Sequence, residues 1–294
     1  MITNALPDIP RSYTAICEWA ACMVYIAVLY RRVPLRRSII VSAVGLPAIV
    51  AVQYFDGSMP IWFWIVGMLL AFGCMYLTIL FGAGTGKREG LYITARAFVL
   101  AELVASLHWQ IVAFIGTHDA QATSYGVQAI VMLIVIYALC FGLAWLVERG
   151  NFSQTTPTLP TASAATATVA ITIVTFAMSN LSFVSTNTPF SGSMGQEIFY
   201  IRTLVDFCGF AILYAQQEQA RRIEASAEIA SINAQLESQH QEYLQSKENI
   251  ESLGRLAHDL KHQIAALRAE VDPEHAAAGF EQLEKSVQRY SAQQ

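Results

Sequence analysis

The chain has 294 residues, of which 54% are hydrophobic and only 14% charged. Soluble domains carry roughly a quarter of charged residues, so an ordinary soluble globular protein is excluded. The formal net charge of −4 argues neither for nor against a nucleic-acid partner, and none is expected.

The charge deficit is uneven. Residues 1–215 hold few charges, whereas 216–294 are rich in Glu, Gln, Lys, Arg and His. The composition therefore predicts an all-α membrane protein with a polar helical domain behind its spanning part. A bilayer core needs about 20 apolar residues per helix. Seven segments come close, near 13–30, 38–55, 60–82, 91–115, 124–147, 167–186 and 197–215. The sixth is rich in Thr and Ser, which leaves six spans as the alternative count. The N-terminus has neither a basic stretch nor a small-residue cleavage site, so the first segment is expected to be retained as a span.

The connections set the orientation. Arg31, Arg32, Arg36 and Arg37 crowd the first, Lys87 and Arg88 lie in the third, and Arg149 in the fifth; the second, fourth and sixth contain no Lys or Arg. Basic loops favour the cytoplasm. The N-terminus is thus expected outside and everything after residue 215 inside, next to Arg221 and Arg222. Trp62, Phe63 and Trp64 fall at the outer boundary and read as an interfacial anchor. The fifth connection is a polar linker, and its Asn151-Phe152-Ser153 triplet is a chance glycosylation match on the inner side.

Five cysteines (Cys17, Cys22, Cys74, Cys140, Cys208) are dispersed through apolar segments without metal or disulfide spacing, and behave as small hydrophobes. The ionisable residues inside spans are costly to bury and carry a functional hypothesis by default. They are Glu18, Arg96, Glu102, His108, Arg202 and Asp206. Arg96 is expected to snorkel to the cytoplasmic surface. Arg202 and Asp206 are one turn apart and able to pair. Glu102, His108, Arg202 and Asp206 are the candidates for sensing or for inter-helix contact, with polar glue between spans an equal alternative.

From Gln216 only Gly254 interrupts helix-forming sequence before Asp272-Pro273. Ile229, Ile232, Leu236, Tyr243, Ile250, Leu253, Ala257, Leu260, Ile264, Leu267 and Val271 follow a three–four spacing, with Gln239 and Ser246 filling its gaps. This predicts a parallel coiled coil between two chains. Asp272 as N-cap and Pro273 at the first helical position start a second helix, whose stripe is Phe280, Leu283, Val287 and Tyr290. Two such hairpins make a dimeric four-helix bundle. The expected domains are a membrane sensor at 1–215, a coiled-coil signalling helix at 216–247 and a dimerisation hairpin at 248–294.

With Ile229 at position a, His258 falls at b and Asp259 at c, facing away from the seam. An exposed imidazole beside a carboxylate can be oriented and relieved of its proton, and so act as a nucleophile. His240 and His275 read as solvated histidines on a charged coiled-coil face. The run His258-Asp259-Leu260-Lys261-His262-Gln263, behind many membrane helices, resembles the phosphoacceptor box of bacterial sensor histidine kinases. It is most similar to the subgroup with a GHKL-type ATPase domain and a multi-span sensor, which includes Agr-type quorum-sensing receptors.

The resemblance implies that His258 is the phosphoacceptor, Asp259 its base, and Gln263 the residue that positions water for a phosphatase reaction. His262 is the lesser candidate for acceptor or an accessory group. It also implies a homodimer in the bacterial cell membrane, a response regulator as partner, and a peptide, lipid or small molecule as stimulus. ATP and Mg are expected only with an ATPase domain, which would begin near Gln294 and act in cis or in trans. Gly82-Ala83-Gly84-Thr85-Gly86-Lys87 does not replace it, because Phe81 stands at the first glycine position of a phosphate loop and a membrane helix precedes it. Two other readings stay open: a dimerising receptor or decoy subunit without phosphotransfer, and a transporter with a coiled tail, for which no internal repeat is evident.

Overall fold

The computed structural model describes residues 9–59, 64–118, 126–152, 162–184 and 197–269, together with 279, 281, 284 and 285. Seven α-helices and no strand occur among them: α1 (Arg11–Val28), α2 (Leu35–Gly57), α3 (Trp64–Gly82), α4 (Lys87–His118), α5 (Val127–Glu148), α6 (Ala162–Val184) and α7 (Glu197–Ala269). Several expectations lie outside the described residues. These are the Trp62 to Trp64 side chains, most of the linker after Phe152, the Asp272-Pro273 turn, His275, and the stripe Phe280, Leu283, Val287 and Tyr290.

Local sequence explains where the helices begin. Pro10 and Pro34 occupy the N-caps of α1 and α2, where the fixed proline φ suits a helix start and no N–H is wasted. Pro47 sits inside α2, which continues through it. Gly84 has φ +64° in the short connection from α3 to α4, a left-handed conformation that favours glycine.

Among the described residues, four helices are long and apolar enough to cross a membrane: Leu35–Gly57, Ile65–Gly82, Lys87–Val112 and Val127–Glu148. A further apolar helix, Ala162–Met178, is shorter. The chain divides into two compact units, Met1–Arg222 and Ile223–Gln294.

In the first unit α1 and α4 form the centre. α1 packs on α2, α3, α4 and α5, and α4 packs on α1, α3, α5 and α6. Of the apolar window in α4, 83% is buried inside the protein, against 22% for the windows of α2 and α5. Those two helices turn Ile39, Ile40, Val44, Ile130, Ile134 and Leu143 outward. Contiguous apolar surface on this scale is what a lipid environment covers. Inside, Tyr25, Ile49, Met75, Ile79, Ile93 and Trp109 are fully buried. Gly67 of α3 provides a close approach, since a Cβ there would stand 1.6 Å from Asp56 Oδ1 on α2.

The second unit contains the C-terminal part of α7. Its helix runs through Gly254 to Ala269. From Ile223 to residue 266 nearly every side chain is exposed, with Ser252, Leu256 and Leu260 half-buried.

Candidate functional site

Three groups of polar residues invite a functional reading, one in the second unit and two in the first. In the second unit, one turn of α7 brings His258, Asp259 and His262 together. Asp259 Oδ1 lies 3.6 Å from His258 Nδ1, and both side chains are exposed, at 68% for His258 and 74% for Asp259. His262 follows one turn later, and its Nε2 is 3.2 Å from His258 Nε2 with the ring centroids 4.4 Å apart. Helical geometry dictates this contact, because residues four apart stack on one face. Gln263 is exposed on the same turn. The sequence anticipated the His258–Asp259 pairing. The ring-to-ring contact with His262 was not drawn from it, although the i, i+4 spacing signals it.

The seam residues are left uncovered by the described residues of one chain. Ile229, Ile232, Leu236, Tyr243, Ile250, Leu253 and Ile264 are all exposed.

In the first unit the polar residues are buried and joined across helices. Arg202 of α7 donates to Glu102 of α4 at 3.2 Å. One turn along both helices, Ser106 donates to Asp206 Oδ2 at 2.9 Å. The sequence selected Glu102, Arg202 and Asp206, and the fold places all three at the α4–α7 contact. His108, two residues further along α4, is fully buried between Tyr13 and Tyr137, with ring centroids at 5.5 and 5.4 Å. Neither of its ring nitrogens has a hydrogen-bond partner among the described residues.

A second cluster surrounds Arg96, and it corrects the sequence-based expectation for that residue. Arg96 does not snorkel to the surface; its side chain is fully buried and pairs with the fully buried Glu148 of α5 at 2.5 Å. Its other terminal nitrogen donates to the Leu213 carbonyl of α7, and the guanidinium lies over the rings of Tyr92 and Phe152. Tyr25 of α1 and Asn151 also donate to Glu148, at 3.2 and 3.3 Å. Tyr92 donates to Gln217 Oε1 at 2.6 Å, and Gln217 donates to the Asn151 carbonyl at 3.1 Å. The physical reason is desolvation: a guanidinium held by a carboxylate, a carbonyl and two aromatic faces needs no water.

Glu148 and Gln217 were missed by sequence reasoning because they fall at the ends of apolar segments, where a polar residue looks ordinary. The signal available was the match between one cation within the apolar α4 and one carboxylate at the C-terminal end of α5. Glu18, which the sequence did single out, accepts from Gln53 of α2 at 2.6 Å, and both side chains are buried. Apolar grooves flank these clusters; one of about 650 Å³ lies between α4, α5 and α7 and is lined by Leu103, Leu107, Leu143, Tyr200, Thr203 and Phe207 among others.

Among the described residues, no group of three or more His, Cys, Asp or Glu is placed to hold a metal ion. Residues 83–86 connect the apolar α3 to α4 and follow no strand, so they do not fit a nucleotide-phosphate cradle. Comparison with protein-family models, with curated proteins and with solved structures finds no match to this chain.

Proposed function

We propose that this protein is the sensing and phosphoacceptor part of a two-component signalling system, with His258 as the group that receives phosphate. The observation that carries the reading is the His258–Asp259 pair: an exposed imidazole with a carboxylate 3.6 Å from its Nδ1. A carboxylate at Nδ1 favours the tautomer with the proton there, which leaves the Nε2 lone pair as the nucleophile. Exposure gives an in-line phosphate donor room to approach. Asp259 orients the ring and stabilises the cationic imidazole formed as the phosphate arrives, and Gln263 positions water in the reverse, regulator-dephosphorylating reaction.

The donor is an ATPase domain in cis or in trans, supplying ATP and Mg, and the acceptor downstream is an aspartate of a response regulator. In this reading all seven helices span a bacterial cell membrane, the N-terminus is outside, and everything after residue 215 is cytoplasmic. The uncovered stripe from Ile229 to Ile264 supports a homodimeric coiled coil, since an apolar seam of this length is stable in water only when a partner covers it. The buried contacts of α4 with α7, Glu102–Arg202 and Ser106–Asp206, are the proposed route by which a ligand among the helices biases α7. His108 in its aromatic enclosure is the proposed neighbour of that ligand.

The test supplies a GHKL-type ATPase domain with labelled ATP to the membrane-reconstituted chain and assays acid-labile phosphate. Label on the wild type and none on His258→Ala is expected; equal labelling of the two sinks the assignment.

A further inference from the structure

The contact between His258 and His262 is a second chemical feature of the same turn. We infer that these two imidazoles form a bidentate site for a divalent transition-metal ion of the Zn²⁺, Cu²⁺ or Ni²⁺ class. The two Nε2 atoms are 3.2 Å apart. Imidazole nitrogens bind such ions at roughly 2.0–2.1 Å. Two of them on one ion are therefore about 2.9 Å apart at a right angle and about 3.4 Å apart at the tetrahedral angle. The observed separation falls between these limits, so the spacing of the two nitrogens suits a single ion.

The supporting groups agree. Metal-bound histidines usually direct their second ring nitrogen to a carboxylate, which fixes the tautomer and raises the basicity of the ligand. Asp259 Oδ1 stands 3.6 Å from His258 Nδ1, within reach of a small side-chain rotation. Helical i, i+4 spacing presents both rings to one point in space. The described residues offer no third protein ligand, so water or a ligand from solution completes the coordination. Imidazole is the common ligand of Zn, Cu and Ni, whereas Mg and Ca prefer oxygen, so the latter two are excluded. No bond is made or broken beyond coordination. Both rings bind through the Nε2 lone pair and keep the proton on Nδ1, and the ion loses two waters.

One consequence rests on the phosphoacceptor reading: the ion would occupy the nitrogen that must accept phosphate, so bound metal would hold His258 silent.

The experiment uses the full chain in lipid nanodiscs, without a polyhistidine tag, titrated with Zn²⁺ against a chromophoric chelator and with Cu²⁺ by electron paramagnetic resonance. One site per chain is expected, with two nitrogen couplings on Cu²⁺. His258→Ala and His262→Ala should each weaken binding by roughly tenfold or more and leave one nitrogen. His240→Ala should bind as the wild type, and Asp259→Asn should show a smaller loss. Wild-type affinity in His262→Ala, or an equal loss in His240→Ala, overturns the site. The phosphotransfer assay with and without Zn²⁺ separates the two ideas. A chain that binds metal at this pair yet accepts no phosphate removes the phosphoacceptor and keeps the metal site. Label on His258 that Zn²⁺ leaves unchanged, with no loss of metal affinity in His262→Ala, removes the metal site and keeps the phosphoacceptor.

Discussion

The two units of this chain treat their charged residues in opposite ways. In Met1–Arg222 several ionisable side chains are buried and reach partners far away in sequence: Arg96 to Glu148, Arg202 to Glu102, Arg32 to Glu89 and the half-buried Arg11 to Asp56. Among the described residues of Ile223–Gln294 the polar pairs are exposed and local, as in His258–Asp259 and Lys285–Glu281. The difference is one of solvent. A charge held away from water must be met by another group, and only a folded arrangement of several helices can supply it. A charge in water needs no partner, and its contacts follow from helix spacing alone. The first unit should therefore be sensitive to loss of single polar groups and the second nearly indifferent, except where a residue does chemistry or covers a seam.

The largest effect should come from Arg96→Ala. Removing one member of a buried pair costs about 3–5 kcal/mol, because Glu148 is left fully buried beside Tyr25 and Asn151. Adding Glu148→Gln should recover part of that loss. Denaturation of the purified variants in detergent or nanodiscs measures both, and an Arg96→Ala protein as stable as the wild type would break the contrast between the units. Gly67→Ala comes next. Its methyl group would collide with the Asp56 carboxylate, and overpacking of this kind costs about 1–3 kcal/mol, read from the same curves.

Ser106→Ala should cost less. It removes one hydrogen bond to Asp206, and inter-helix hydrogen bonds between membrane helices average about 0.6 kcal/mol. Smallest of all is Arg222→Ala at the end of the first unit, where an exposed i, i+4 pair with Glu218 should contribute less than about 0.5 kcal/mol. In the second unit Ile250→Asp should leave helix content unchanged and abolish self-association, measured by cross-linking or analytical ultracentrifugation. Ile250 is exposed within one chain, so in the proposed dimer this substitution tests pairing apart from folding.

Helix was legible almost everywhere. The seven apolar segments correspond in order to the seven helices, and the run from Gln216 is helical to Ala269. Apolar length and helix propensity are local properties, so they survive in the order of residues. The His258–Asp259 pair was equally plain, because the two residues are consecutive in the sequence; their 3.6 Å approach is set by the rotamers of two exposed side chains. Arg96 shows the other case. Its depth in α4 suggested a side chain stretching to water, yet α5 and α7 bring a carboxylate and a carbonyl to it. Nothing near residue 96 announces Glu148, which is 52 positions away.

The sequence by itself thus determined which stretches are helical and which turn carries the imidazoles, whereas of the seven expected spans four described helices are long and apolar enough to cross a membrane. Only the tertiary structure decided which buried charges meet. α4 becomes the central helix by packing against α1, α3, α5 and α6. The partners of Arg96, Glu102 and Ser106 are then set by which helices stand beside it at each depth. Secondary structure follows from nearest neighbours along the chain, whereas burial of a charge is satisfied by neighbours in space.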